Sequence, residues 1–175
     1  MSTSLSSSAA LPFTHAGLRL LIALNWVMAP LILTLLLLLP HEQWILQSFH
    51  IPSSPEGDRL VGGMRLIALI GLASIPLHYM ALKRLLAIVE TVRLGDPFVA
   101  ANATRLQGIA WVLLVLQVLS MVVDGIAKAV AIPGHPLQMG AGFSVNGWLA
   151  VILTFLLARV FAEGTRMRDD LAGTV

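Results

Sequence analysis

Few residues in this 175-residue chain have side chains suited to chemistry, and they are scattered. Arg65 and Asp124 come first, because each stands at the edge of a long apolar stretch and ionisable residues at membrane depth mark functional sites by default. Leu66–Leu82 and Leu106–Val123 carry no charge, so Arg65 and Asp124 sit at about the same height and would form an intramembrane polar pair if the two stretches were adjacent and antiparallel. The competing reading is that both mark a membrane boundary, with Lys128 neutralising Asp124 from four residues away. His41, Glu42, His50 and His135 have the donor types of a zinc or copper site, but their spacing matches no ligand motif. His78, beside Tyr79, would suit haem ligation or proton relay; no second histidine lies at a matching depth, so a packing or interfacial role is expected. Asn25 and Gln117 are isolated polar residues suited to interhelical hydrogen bonds, worth ~0.6 kcal/mol each. There is no Ser-His-Asp spacing, no His-Glu-x-x-His and no phosphate loop. Asp169-Asp170 reads as a solvated helix end. The absence of cysteine removes disulfides, thiolate metal sites and Cys nucleophiles. The expectation is a protein with no catalytic residues, no metal and no cofactor.

The elements that must position these residues are four apolar segments, near Leu18–Leu39, Leu60–Leu82, Leu106–Val130 and Phe143–Ala162. Each reaches the ~20 apolar residues that cross a bilayer. Composition agrees: 57% of residues are apolar and 11% charged, against about 25% charged in a soluble domain, and mean hydropathy is +0.86. The fold class is therefore all-α, a polytopic four-transmembrane-helix bundle whose main partner is the lipid bilayer. Residues 1–17 read as a disordered leader, because Met1–Ala16 is Ser-rich and lacks Lys and Arg; the apolar run behind it is too long for a secretory signal, so the first span is expected to remain. Residues 18–175 form one domain. A pI of 9.7 suggests nucleic acid, but the net charge is only +2, and the cations are better explained by topology. Arg19, Lys83, Arg84, Arg93, Arg105, Arg159, Arg166 and Arg168 fall on one side, and Arg59, Arg65 and Lys128 on the other. The positive-inside bias puts both termini in the cytoplasm. No direct nucleic-acid binding is expected.

The segment between spans two and three, residues 83–105, predicts a cytoplasmic helical hairpin. Leu82–Leu94 (LKRLLAIVETVRL) has no helix breaker, and a helix continuing through Lys83–Leu94 rises ~18 Å beyond the span. Gly95 supplies a stop, Asp96 an N-cap and Pro97 a first helical position. Leu85, Ile88, Val89 and Val92 predict an apolar stripe, with Lys83, Arg84, Glu90 and Arg93 as polar surface. After span four, Arg159, Glu163, Arg166 and Asp170 recur at helical spacing, with i,i+4 ion pairs available, so the tail 163–175 extends the fourth helix. Hairpin and tail together form either a docking surface or plain headgroup anchors. Pro30 and Pro76 are expected to kink spans one and two, and Gly125-x-x-x-Ala129 and Ala158-x-x-x-Ala162 permit close helix approach.

The run Leu82-Lys83-Arg84-Leu85-Leu86, Gly95-Asp96-Pro97-Phe98-Val99, Asn102 and Arg105-Leu106 has a familiar form. So has the close, Gly142-Phe143-Ser144, Leu149–Leu153, Ala158–Phe161, Glu163-Gly164 and Met167-Arg168. Over Leu60–Val175 the chain resembles an uncharacterised bacterial family of small four-span membrane proteins, a domain of unknown function often encoded beside a Cro-type helix-turn-helix regulator. The resemblance implies the bacterial cytoplasmic (inner) membrane and a membrane partner for a cytoplasmic transcription factor; it brings no catalytic residues. The leading expectation is a non-enzymatic regulator or adaptor that binds such a partner through Lys83, Arg84, Glu90, Arg93, Gly95, Asp96, Pro97, Phe98, Arg105, Arg159, Glu163 and Arg166. The alternative is a small transporter or channel, built as a homo-oligomer around the intramembrane polar residues.

Overall fold

A computed structural model describes residues 5–38, 55–131 and 142–172. Four helices account for nearly all of them: α1 (Leu5–Leu38), α2 (Pro55–Arg93), α3 (Ala100–Ala129) and α4 (Val145–Ala172). Each contains a stretch long and apolar enough to cross a membrane, and the chain is a multi-pass membrane protein. α1 begins at Leu5, so the structure draws Leu5–Gly17 into the first helix where the sequence suggested a leader; Leu5, Ala9, Ala10 and Leu11 are good helix formers. Pro12, Pro30 and Pro76 are accommodated inside helices.

Length forces the helices out of the bilayer. α2 has 39 residues and spans ~58 Å at 1.5 Å per residue, about twice the ~30 Å hydrocarbon thickness. Its end at Arg93, the turn into α3 and the end of α4 come together as the hairpin end.

The helices pack in chain order, α1 on α2, α2 on α3 and α3 on α4, with no comparable α1–α4 packing. The result is an open arc. Near the hairpin end Ile88, Leu106, Ile109 and Ala158 form a buried cluster, joined by Leu113 and Phe161. Near the other end Leu60, Val61 and Ala127 are buried, and α2 approaches α3 so closely that a Cβ on Gly63 would stand 2.7 Å from the methyls of Val130. Most large apolar side chains instead face outward, including Leu20, Leu24, Val27, Leu31 and Leu35 on α1. In water this would be an untenable surface; in lipid it is the solvated one. Trp26 meets Tyr79 edge-on across α1 and α2 (5.6 Å between centroids), and Trp111 meets Phe155 across α3 and α4 (5.4 Å).

Of the close-approach patterns, Ala158 is buried in the core cluster, while Gly125 faces open space. The predicted stripe also divides. Ile88 and Val89 are buried, but Leu85 and Val92 remain exposed.

Candidate functional site

The hairpin turn is built by backbone chemistry. Gly95 has φ +83°, the left-handed conformation that only glycine adopts freely. Its N–H donates to Val92 O (3.1 Å) and the Asp96 N–H donates to Thr91 O (3.1 Å). These two bonds are the 5→2 and 6→1 pair of a Schellman motif, which satisfies the last carbonyls of α2. The expected stop at Gly95 is therefore present. The expected cap at Asp96 is not. α3 starts at Ala100, its N-cap is Val99, and no side chain caps it. The Asp96 carboxylate is occupied elsewhere, by Arg168 of α4.

Asn102 locks the turn. It is fully buried, and its Nδ2 donates to Thr91 Oγ1 (2.6 Å) and to Pro97 O (2.8 Å). The Thr91 hydroxyl in turn donates to Ile88 O (2.7 Å). Arg105 Nη1 donates to Asn102 Oδ1 (2.8 Å) and reaches Ala87 O (3.4 Å). One amide thus binds the end of α2, the turn and the start of α3. A buried amide needs such partners, since leaving it unpaired costs about 1–3 kcal/mol.

α4 closes over this turn. Arg168 Nη1 donates to the Asp96 carboxylate and to Phe98 O (3.1 Å). The Phe98 ring lies 5.3 Å from that of Phe161, and it rests on Gly164, where a Cβ would stand 3.0 Å from it. Gly164 is thus the position at which the α4 backbone can admit the ring. Beside this contact a groove of 610 Å³ runs between α3 and α4. Its floor is small (Ala100, Ala103, Ala158, Ala162), and Thr104, Gln107, Arg159, Thr165, Arg166 and Asp169 supply its polar groups.

The sequence-derived residues separate into two groups. Gly95, Asp96, Pro97, Phe98 and Arg105 converge, but as parts of the structure that fixes the turn. Arg84 also turns inward, its guanidinium lying against Gly108. Lys83 Nζ sits 5.9 Å above the Tyr79 ring. Glu90 pairs with Arg93 (3.1 Å) and approaches His15 of α1 (3.9 Å). Glu163 pairs with Arg166 at 3.7 Å, three residues on, rather than with Arg159. Glu90, Arg93, Arg159, Glu163 and Arg166 are exposed. Sequence reasoning missed Thr91, Phe161, Gly164 and Arg168 as site residues. The Asn102/Arg105 spacing offered a local signal; Arg168, 72 residues from Asp96, offered none.

At the other end, Asp124 Oδ2 meets Lys128 Nζ at 2.6 Å, the local alternative to Arg65, which is half-buried on α2. Gln117, Ser120 and Asp124 share one face of α3 and cradle the entry to α4. Gln117 Nε2 donates to Gly142 O (3.4 Å), and the Gly142 N–H donates to Ser120 Oγ (3.2 Å). Ser144 then caps α4, its Oγ accepting the Gly147 N–H at 3.1 Å. Among the described residues no group of three His, Asp or Glu could hold a metal. His41, Glu42, His50 and His135 lie outside the described residues.

Residues 23–175 match the family described as "Protein of unknown function (DUF2975)", and the chain belongs to that family. Neither a curated protein nor a solved structure matches it.

Proposed function

We propose that this DUF2975 protein is a non-enzymatic regulator or adaptor of the bacterial cytoplasmic membrane. In this reading both termini are cytoplasmic, and the hairpin end docks a cytoplasmic partner of the helix-turn-helix transcription-factor class. The observation that carries the proposal is an apolar surface at the hairpin end. Leu94 is 77% exposed, Met167 56%, Leu171 71% and Phe98 43%. Gly164, Met167, Arg168 and Leu171 follow i, i+3, i+4, i+7 spacing, so they share one face of α4. The Arg168 contacts to Asp96 and Phe98 join that face to the turn. Beyond the bilayer, a cluster of exposed apolar side chains rimmed by Arg93, Glu163 and Arg166 has the composition of a protein-binding patch.

The inward-turned Arg84 and Arg105 position this surface and do not contact the partner. Glu90, Arg93, Glu163 and Arg166 supply its charged rim, while Lys83 and Arg159 stand about two or more helical turns away along α2 and α4. Regulation follows from the tie itself. A shift of α4 relative to the α2–α3 hairpin separates Arg168 from Asp96 and divides the patch, so two packings of the bundle present two different surfaces. Docking in one packing holds the transcription factor at the membrane and away from DNA.

The test places a photocrosslinking residue at Leu94 or Met167, and at Val145 as a control, in native membranes. A single small DNA-binding protein captured at the first two positions only, and lost on Met167→Glu with Leu171→Glu, is the expected result. Crosslinks only to further copies of the chain would overturn the regulator reading and turn attention to solute flux through an oligomer.

A further inference from the structure

The concave side of the helix arc holds a cavity of 680 Å³ to which all four helices contribute, with Met28, His78, Leu82, Ile109, Leu116 and Leu157 among its walls. A second cavity of 330 Å³ continues from it between α2 and α3, sharing His78 and Leu116 and running past Ser74 and Gly71. Neither has a Lys, Arg, Asp or Glu in its lining. Because α1 packs on α2 and α4 on α3 without comparable packing on each other, the larger cavity opens sideways, between α1 and α4, into the bilayer. His78 lies within the charge-free stretch of α2 and so at bilayer depth.

Few polar groups in this cavity remain open to an occupant. His78 Nδ1 lies 2.8 Å from Ser74 O. A carbonyl only accepts, so Nδ1–H is the donor of this bond, and in the neutral imidazole Nε2 is then the acceptor. The Ser74 hydroxyl donates to Gly71 O (2.7 Å) and the Thr154 hydroxyl to Ala150 O (2.7 Å), and Asn25 directs an amide N–H to Ile75 O (3.1 Å). The hydroxyls of Ser74 and Thr154 are thus spent on backbone carbonyls, which leaves His78 Nε2 and the Asn25 amide, through its oxygen and second N–H, as the polar groups open to an occupant. A mostly apolar cavity of several hundred Å³ with a few placed polar groups has the form of a small-molecule site. With no charged group in its lining, a charged ligand would meet a large desolvation cost.

We propose that this cleft binds an uncharged lipophile with a hydroxyl head, a lipid alcohol entering between α1 and α4, whose O–H donates to His78 Nε2 while its chain fills the apolar remainder. The site is independent of any docking at the hairpin end.

The test uses the full chain in phosphatidylcholine vesicles, with a diazirine-bearing hexadecanol as probe and its methyl ether as a matched compound without a donor. Photolabelling mapped by mass spectrometry is expected to be saturable for the alcohol at peptides lining the cleft, and about five-fold above the ether, the ratio one net hydrogen bond provides. His78→Phe is expected to bring the alcohol down to the ether's level. His78→Gln, which restores an acceptor, should recover part of the difference. Leu113→Trp, which fills the cavity, should lower both probes. Equal, non-saturable labelling by alcohol and ether, or a preference for the alcohol that survives His78→Phe, would overturn the proposal and leave the cleft an ordinary lipid-facing surface.

Discussion

Arg168, one turn from the end of α4, holds Asp96 and the carbonyl of Phe98 with a single guanidinium nitrogen. The contact joins segments 72 residues apart and fixes the final turns of α4 against the hairpin. Both partners are about half exposed, so the pair adds little to global stability, in the range of 0–1 kcal/mol. What it sets is the position of α4.

Arg168→Ala is therefore expected to leave the melting temperature in detergent nearly unchanged, while amide exchange over Gly95–Val99 rises several-fold. Because the chain has no cysteine, the same geometry can be read without background. Asp96→Cys with Arg168→Cys should crosslink through a short bis-maleimide, and Asp96→Cys with Val145→Cys should not. Exchange unchanged in Arg168→Ala would mean that Phe98 stacking on Phe161 alone holds the end.

Asn102→Ala is expected to be the most damaging single change at this end, costing about 1–3 kcal/mol. It leaves Arg105 only its long bond to Ala87 O, strands Pro97 O and removes the link to Thr91. Asn102→Leu should do no better despite its apolar bulk, since the loss is of partners rather than volume. Thermal unfolding followed by circular dichroism measures it.

Two glycine substitutions should separate a rigid neighbour from a flexible one. A Cβ on Gly147 would overlap the Gln117 amide, which is buried and held by Gly142. Gly147→Ala is expected to destabilise by about 1–3 kcal/mol, as overpacking does, and Gln117→Ala in the same chain should recover part of that. At Gly108 the neighbour is the Arg84 guanidinium, the far end of a long side chain that can swing away. Gly108→Ala should be neutral or stabilising by up to ~1 kcal/mol through helix propensity.

The orientation in which both termini face the cytoplasm predicts that a fluorescent protein fused after Val175 is bright and that alkaline phosphatase fused there is inactive. Maleimide labelling from outside the cell should reach a cysteine at Lys128 and miss one at Arg93. The opposite pattern would reverse the topology and remove the proposed cytoplasmic docking surface.

The class of this protein is written in its hydropathy. Runs of apolar residues longer than a bilayer is thick leave lipid as their solvent, and in lipid only helices or closed barrels satisfy every backbone group, so the four spans and the helix-compatible stretch through Leu94 could be read directly. Gly95 was legible for the same reason, because a left-handed C′ position has few other occupants. Tertiary structure decided how those helices are used. Asp96 looked like a cap because its local sequence favours one; it became a tether because Arg168 arrives from α4. Arg84 and Arg105 looked like surface because they are charged; they turn inward because Gly108 leaves room for one and Asn102 offers the other an oxygen. Composition fixes which side chains face lipid in bulk, but no periodicity along α1 or α4 says that these two helices stay apart and leave a cleft between them. That depends on which pairs of helices pack, and in a solvent as apolar as the side chains themselves, packing is set by small residues and a few hydrogen bonds whose partners lie far apart in the chain.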